Sequence, residues 1–209
     1  MIAYVDQNFR QREPRRHPWT VGKEAPFRYH DFKQHPELIP TVLEDFVPYA
    51  QQPGFEGFFD FLRWVNDPDS IFESNDCGTR PPKDNDDSTS HLARAMTGRV
   101  MLLFRDLRRN FYPMQYQLLF QLLLEELKAT DPTMTKDEGV FGLVQEDAAY
   151  DDVITNDPEM YRIGHQFTVM HWVWGATDAE LYQNLGRMYR NLTVALQKVG
   201  THLPSEHIR

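Results

Sequence analysis

Cysteine is almost missing from this chain. Its 209 residues include one, Cys77, so no intrachain disulfide can staple the fold. A reducing compartment fits that usage, and the expected location is cytoplasmic. Glycine is scarce as well, with 11 residues, most of them isolated. There is no Walker A loop, no Gly-x-Gly-x-x-Gly turn and no Gly-x-Ser-x-Gly elbow, so nucleotide-cradling and serine-hydrolase readings lack a signature. Neither His-Glu-x-x-His nor a Glu-x-x-His pair occurs, which removes the zincin and di-iron bundle patterns. Long apolar runs are absent. The greasiest window, Leu118–Leu124, is broken by Gln121 and followed by Glu125 and Glu126, far short of the ~20 residues that span a bilayer. Met1–Arg16 has no apolar stretch of signal-peptide length, so the expectation is a protein neither secreted nor inserted in a membrane. An excess of positive charge is missing too. The net charge is −9, which argues against general nucleic-acid binding.

Hydrophobic side chains are plentiful: apolar residues make up 41 % and aromatics 13 %. That suits one domain over 1–209 with a substantial core, burying about 70 % of the unfolded surface. Charge is uneven along the chain. Residues 125–159 hold 11 acids and two lysines, whereas residues 8–33 hold seven Lys/Arg and three acids. Such an acidic run reads as a solvated face, or as a contact for a basic partner or for the chain's own N-terminal arm in a homodimer.

Periodicity sets the expected fold class: α+β, with a small, mainly antiparallel sheet packed by four to five helices and a C-terminal strand–turn–helix unit. Residues 1–35, with Pro14, Pro18 and Pro26, read as an irregular arm with a short strand at Phe27–His30. Two short helices follow, one carrying Leu38, Val42, Leu43, Phe46 and Val47, the other over Phe55–Val65. Residues 66–90 read as a long polar loop, functional or mobile. From Ser88–Ser90 to Phe111 an apolar arc of about 120° favours a third helix, with a buried strand over Arg99–Asp106 as the alternative. A fourth helix is expected over Met114–Lys128. Gly139–Val144 and Tyr161–Trp174 read as strands, and Thr177-Asp178-Ala179-Glu180 as a capping box that opens a helix through Val199.

Candidate chemistry is dispersed. His165 and His171 fall on one strand face roughly 20 Å apart, too far to share a metal. Asp84-x-Asp86-x-Ser88 imitates a calcium loop but has Thr89 and Ala95 where Gly and Glu belong. Glu146, Asp147, Asp151 and Asp152 would bind a divalent ion only if the fold gathered them. No metal and no cofactor is expected. For an enzyme, the residues to examine are Asp76, Cys77, Arg80, His91 and Asp106, with Arg80 lowering the thiol pKa and His91 serving as base. For binding, they are the helical stripe Arg94, Arg105, Arg108 and Arg109, which could clamp anions, together with Trp172 and Trp174 on the non-core face of the long strand. The reading that follows is a non-catalytic interaction protein, an adaptor or an acidic inhibitor or immunity-type protein, with a protein partner and as a homodimer. The alternatives are an enzyme of unknown reaction built around 66–90, and a structural component of a phage or secretion assembly.

Overall fold

The computed structural model describes residues 2–7, 9, 13–17, 30–43, 46–151 and 161–203. The sheet grows from alternation in its longest strand. In β7 (Tyr161–Gly175), Phe167, Val169, His171 and Val173 turn one way and are buried, while Gln166, Thr168, Met170, Trp172 and Trp174 turn the other. On one side β7 pairs antiparallel with β6 (Gly139–Asp151), on the other with β5 (Arg94–Phe104). β5 also takes β3 (Phe72–Thr79) and the two-residue β4 (Lys83–Asp84), both antiparallel. β6 takes β1 (Ile2–Val5) and β2 (Arg15–His17), both parallel. The result is a seven-stranded mixed sheet in the order β1-β6-β7-β5-β3, so the α+β expectation holds.

Helices cover one face. α1 (Ile39–Val42) is a single turn. α2 (Glu56–Asn66) buries Phe58, Phe59, Phe61, Leu62 and Val65, and ends where Asp67, ahead of Pro68, turns extended. α3 (Pro113–Thr130) starts on a proline, whose missing N–H costs nothing at a helix N-terminus. α4 (Asp178–His202) opens on the expected box: the Thr177 hydroxyl accepts from the Glu180 N–H at 3.2 Å, and the Glu180 carboxylate reaches back to the N–H of Ala176 at 2.8 Å. α2 and α3 pack on α4, and α4 packs on β7, around Phe55, Phe58, Phe141, Phe167 and Tyr189. Each such side chain contributes about 1.5–3 kcal/mol by leaving water. Gly54, at φ +97°, passes so close to α4 that a Cβ there would lie 2.7 Å from the Gln183 Cα. A left-handed backbone and close approach together require glycine at this crossing.

Four expectations need correction. The N-terminal region is not irregular throughout, because Ile2–Val5 and Arg15–His17 are strands on the β6 edge; of the strand expected at Phe27–His30, residues 27–29 lie outside the described residues. The expected first helix is two 3-10 turns, Pro36–Leu38 and Val47–Tyr49, flanking the short α1. Residues 66–90 are not one long loop, since Phe72–Thr79 forms the edge strand β3. The third helix is absent: Arg94–Phe104 is the inner strand β5, followed by a 3-10 turn at Leu107–Phe111. The helical reading failed because Met101 and Leu103 are buried on the face away from the helices as well. A strand covered on both faces shows an apolar run instead of an alternation.

That second face is closed over at one end, and at the other it carries the small buried cluster of Ala95, Val140 and Trp174. β2 and β3 lie on opposite edges, four strand spacings apart, or roughly 19 Å if the sheet were flat. Yet His17 of β2 and Glu73 of β3 are in contact, with Nε2 and Oε1 3.0 Å apart. The sheet must therefore coil until its edges meet, which its right-handed twist allows. The 3-10 turn closes the same end: Phe111 lies over Gly164, where a Cβ would come within 2.9 Å of its ring, and packs with Leu103, Ala148 and Tyr150. The second face is thus a trough, closed near His17 and open near Trp172 and Trp174.

Candidate binding face

A chain of polar side chains lines the closed half of the trough. Lys33 donates to one Glu73 oxygen at 2.9 Å, and His17 Nε2 faces the other. His17 Nδ1 faces Asn75 Oδ1 at 3.2 Å, Asn75 donates to Gln166 at 2.9 Å, and the Gln166 amide approaches the Met101 sulfur at 3.5 Å. Thr168 donates to Glu146 beside them. Glu73, at 3 % exposure, experiences burial that raises its pKa, but the hydrogen bonds and charges of His17 and Lys33 outweigh it and hold the carboxyl below its ordinary range. Burial pushes the pKa of Glu146 up, against the Thr168 hydrogen bond and the more distant charges of Arg15 and Arg99.

Further along stand Arg99 and Asp76, paired at 3.1 Å and half-exposed. At the open end Ala95 and Thr97 of β5 lie level with Trp174 and Trp172 of β7. Trp172 lies across Gly142 and stacks on Tyr4, with ring centroids 6.2 Å apart. Trp174 is buried at 3 % exposure, whereas Trp172 is half-buried. With Arg80, Pro81, Lys83, Asn85, Asp86 and Asp87 these residues enclose an open cleft of about 340 Å³.

The five residues weighed for catalysis do not converge. Asp76 faces the trough, while Cys77, next in sequence, packs against the core on the helix side. Arg80 stands at the cleft. His91 is exposed, with Nδ1 3.5 Å from Asp137. Asp106 caps the 3-10 turn at the far end of β5, accepting from the Arg108 N–H at 3.2 Å and binding its guanidinium through both oxygens at 2.9 and 3.0 Å.

The arginine stripe dissolves with the helix that would have carried it. Arg94 begins β5 and pairs with Asp84 and Asp178. Arg105, about 35 Å along an extended strand, donates to the Pro68 carbonyl. Arg109 is buried, its guanidinium 4.2 Å over the Phe104 ring with one nitrogen donating to Gln115, and burial lowers its pKa. Of the four tryptophans, Trp64 packs against the core and Trp19 lies outside the described residues.

The described acids of 125–159 do not form one surface either. Asp131 binds Arg187 at 2.6 Å, Glu126 binds Lys198 at 3.1 Å, and Asp147 faces His165 at 3.2 Å. Glu146 and Asp147 fall on opposite faces of β6, and Asp152 lies outside the described residues. Among the described residues no group of three His, Cys, Asp or Glu side chains could hold a metal ion. No helix there is long and apolar enough to cross a membrane.

His171 is wholly buried under α4. Its Nδ1 meets the Tyr189 hydroxyl at 2.8 Å, its Nε2 has no partner among the described residues, and burial drops its pKa to about 3. The ring fills the space over Gly98, where a Cβ would stand 2.6 Å from the imidazole Cε1.

The residues that build the trough, His17, Glu73, Asn75, Arg99, Gln166 and Thr168, were not candidates from sequence. They come from four strands and share no spacing. The one available signal was the polar alternation of Gln166 and Thr168 with core residues in β7. Family models, curated proteins and solved structures were compared with this chain, and none matches.

Proposed function

We propose that this chain is a non-catalytic interaction protein that binds another macromolecule at the open end of its trough. The observation that carries this reading is the stacked pair of exposed Tyr4 and half-buried Trp172 on the sheet face away from the helices, beside the buried Trp174. Aromatic side chains there supply large contact area with little rotamer entropy to lose, which is why interfaces are rich in them. The polar groups of the closed half support binding over catalysis: Lys33, Glu73, His17, Asn75 and Gln166 spend their hydrogen bonds on one another. A second copy of this chain is one such partner, and closed two-fold dimers are the commonest assemblies.

The test compares wild type with Trp172→Ala, using Met114→Ala on the far side as a control. Met114 is exposed, whereas Trp172 packs in part against Ala95, Val140 and Trp174, so an unchanged circular-dichroism spectrum and a cooperative melt are required of Trp172→Ala before its binding is compared. Binding proteins recovered from the native host are identified for each, and light scattering reports self-association. The reading expects a partner, or a dimer, that Trp172→Ala loses and Met114→Ala keeps. A chain that stays monomeric and yields the same proteins in all three forms overturns it.

A further inference from the structure

We propose that the first turn of α3 and the 3-10 turn before it form a binding site for a phosphate group, free or carried as a monoester. Arg109, Gln115 and the N–H of Met114 supply the donors. The site lies at the other end of β5 from the cleft, so it goes beyond the interaction face of the trough.

The argument starts from a buried charge without a counter-charge, an arrangement that is expensive to maintain. Arg109 is 8 % exposed, and among the described residues no carboxylate pairs with it. Asp106 attracts it from the same turn but spends both oxygens on Arg108. Asp147 faces His165, and Arg105 turns away to the Pro68 carbonyl, between Asp67 and Asp69. What Arg109 does have is the face of Phe104 and one hydrogen bond, from Nη2 to the Gln115 Oε1 at 3.0 Å. Its Nε is enclosed without a partner. Its Nη1 has no partner among the described residues either, and it is not enclosed. One positive edge of the guanidinium is therefore left over.

Gln115 is left over in the same way. It is 4 % exposed, and its carbonyl oxygen accepts from Arg109. Its amide nitrogen points away from that bond and has no partner among the described residues. α3 adds a backbone donor. Its N-terminus has no side-chain cap, Pro113 has no N–H, and the Gln115 N–H is taken by the Tyr112 carbonyl at 2.9 Å. The Met114 N–H remains, at the positive end of an 18-residue helix and between the exposed side chains of Tyr112 and Met114. Guanidinium and amide donors gathered at a helix N-terminus suit a phosphate, whose oxygens outnumber the two of a carboxylate. Arg162, exposed and 4.3 Å over the Phe111 ring, adds positive charge on the other flank of the turn. This end of the molecule can therefore draw an anion although the net charge is −9.

The experiment uses the full chain labelled with nitrogen-15 and follows the Arg109 Nε–H signal, which enclosure shields from solvent exchange. Inorganic phosphate, glycerol 3-phosphate and acetate are each added at constant ionic strength. Either phosphate should shift the signal saturably, and acetate should bind more weakly on the order of tenfold. The tighter of the two phosphates tells a free ion from a monoester. Gln115→Glu keeps the side chain's size, places a carboxylate on Arg109 where a helix N-terminus favours one, and removes the amide donors. It should abolish phosphate binding. It should also cancel the rise in thermal midpoint, about 3–6 °C, that wild type shows at tenfold excess of phosphate over the Kd. Arg109→Lys keeps the charge without the planar fork and should weaken binding on the order of tenfold. The proposal is overturned if phosphate gives no saturable shift, if acetate binds as tightly, or if Gln115→Glu binds phosphate as wild type does. Such a failure leaves the trough reading intact, because Trp172 is no part of this site.

Discussion

His17 and Glu73 sit 3.0 Å apart although their strands form opposite edges of the sheet. The pair, reinforced by Lys33 and by the Asn75–Gln166 hydrogen bond, clasps the trough shut at one end. Breaking a buried pair from one side leaves the other charge stranded, which costs about 3–5 kcal/mol. Because Lys33 is partly exposed and can turn to water, the low end of that range applies here.

Glu73→Gln should therefore destabilise the protein by about 3 kcal/mol in urea unfolding at neutral pH. The pH dependence follows from the sign of the shift. The folded pKa of Glu73 lies below the ordinary value of 4.5, so its stabilisation is present above pH 4.5 and is lost as pH falls through the folded pKa. Unfolding midpoints measured across the acid range should fall less steeply below pH 4.5 in Glu73→Gln than in wild type.

Glu146 behaves in the opposite sense. Burial raises its folded pKa, so at neutral pH its ionised form costs stability, and that cost fades as pH falls towards the raised value. Glu146→Gln keeps an acceptor for the Thr168 hydroxyl and removes the charge. Its thermal midpoint at pH 7 should equal or exceed that of wild type. A clear drop would mean that the carboxylate has a partner of its own.

His171 adds a separate acid sensitivity. Its folded pKa near 3 lies below the unfolded value of 6.5, so the unfolded chain takes up the proton first. Stability should fall by about 2 kcal/mol between pH 7 and pH 5 on this account. Nitrogen-15 spectra should show the His171 ring still neutral at pH 5. Tyr189→Phe, which removes the hydroxyl facing Nδ1, should cost about 1–3 kcal/mol.

Two glycines make a controlled comparison. A Cβ at Gly98 meets the His171 ring at 2.6 Å and the Gly78 carbonyl at 2.5 Å, so Gly98→Ala should destabilise by roughly 1–3 kcal/mol. At Gly200 in α4 the nearest atom is Ile71 Cδ1 at 3.4 Å, an ordinary contact, so Gly200→Ala should stabilise by about 0.5–1 kcal/mol. Urea midpoints of opposite sign would verify the packing of His171 over Gly98.

What could be read from the sequence follows from what each element faces. α2, α3, α4 and β7 have one buried face and one wetter face, so their period is visible. β5 is apolar on both faces towards its C-terminal end, and Val100–Phe104 coincides with a helical arc. β3 has the reverse problem. Glu73, Asn75 and Asp76 look like loop residues, but they turn into the trough and pair with residues distant in sequence. The face of Trp172 and Trp174 was legible because β7 alternates. Arg80 was weighed for its nearness to Cys77, but Cys77 packs against the core while Arg80 stands at the cleft with the tryptophans. No spacing announces contacts such as that of His17 with Asn75, 58 residues apart.

The most direct measurement is hydroxyl-radical footprinting of the complex with the partner recovered from the native host. If the trough is the interaction face, Trp172 and Met170 lose reactivity on binding, and Met114, exposed at the start of α3, keeps it. Protection of Met114 with Trp172 unchanged would contradict the account.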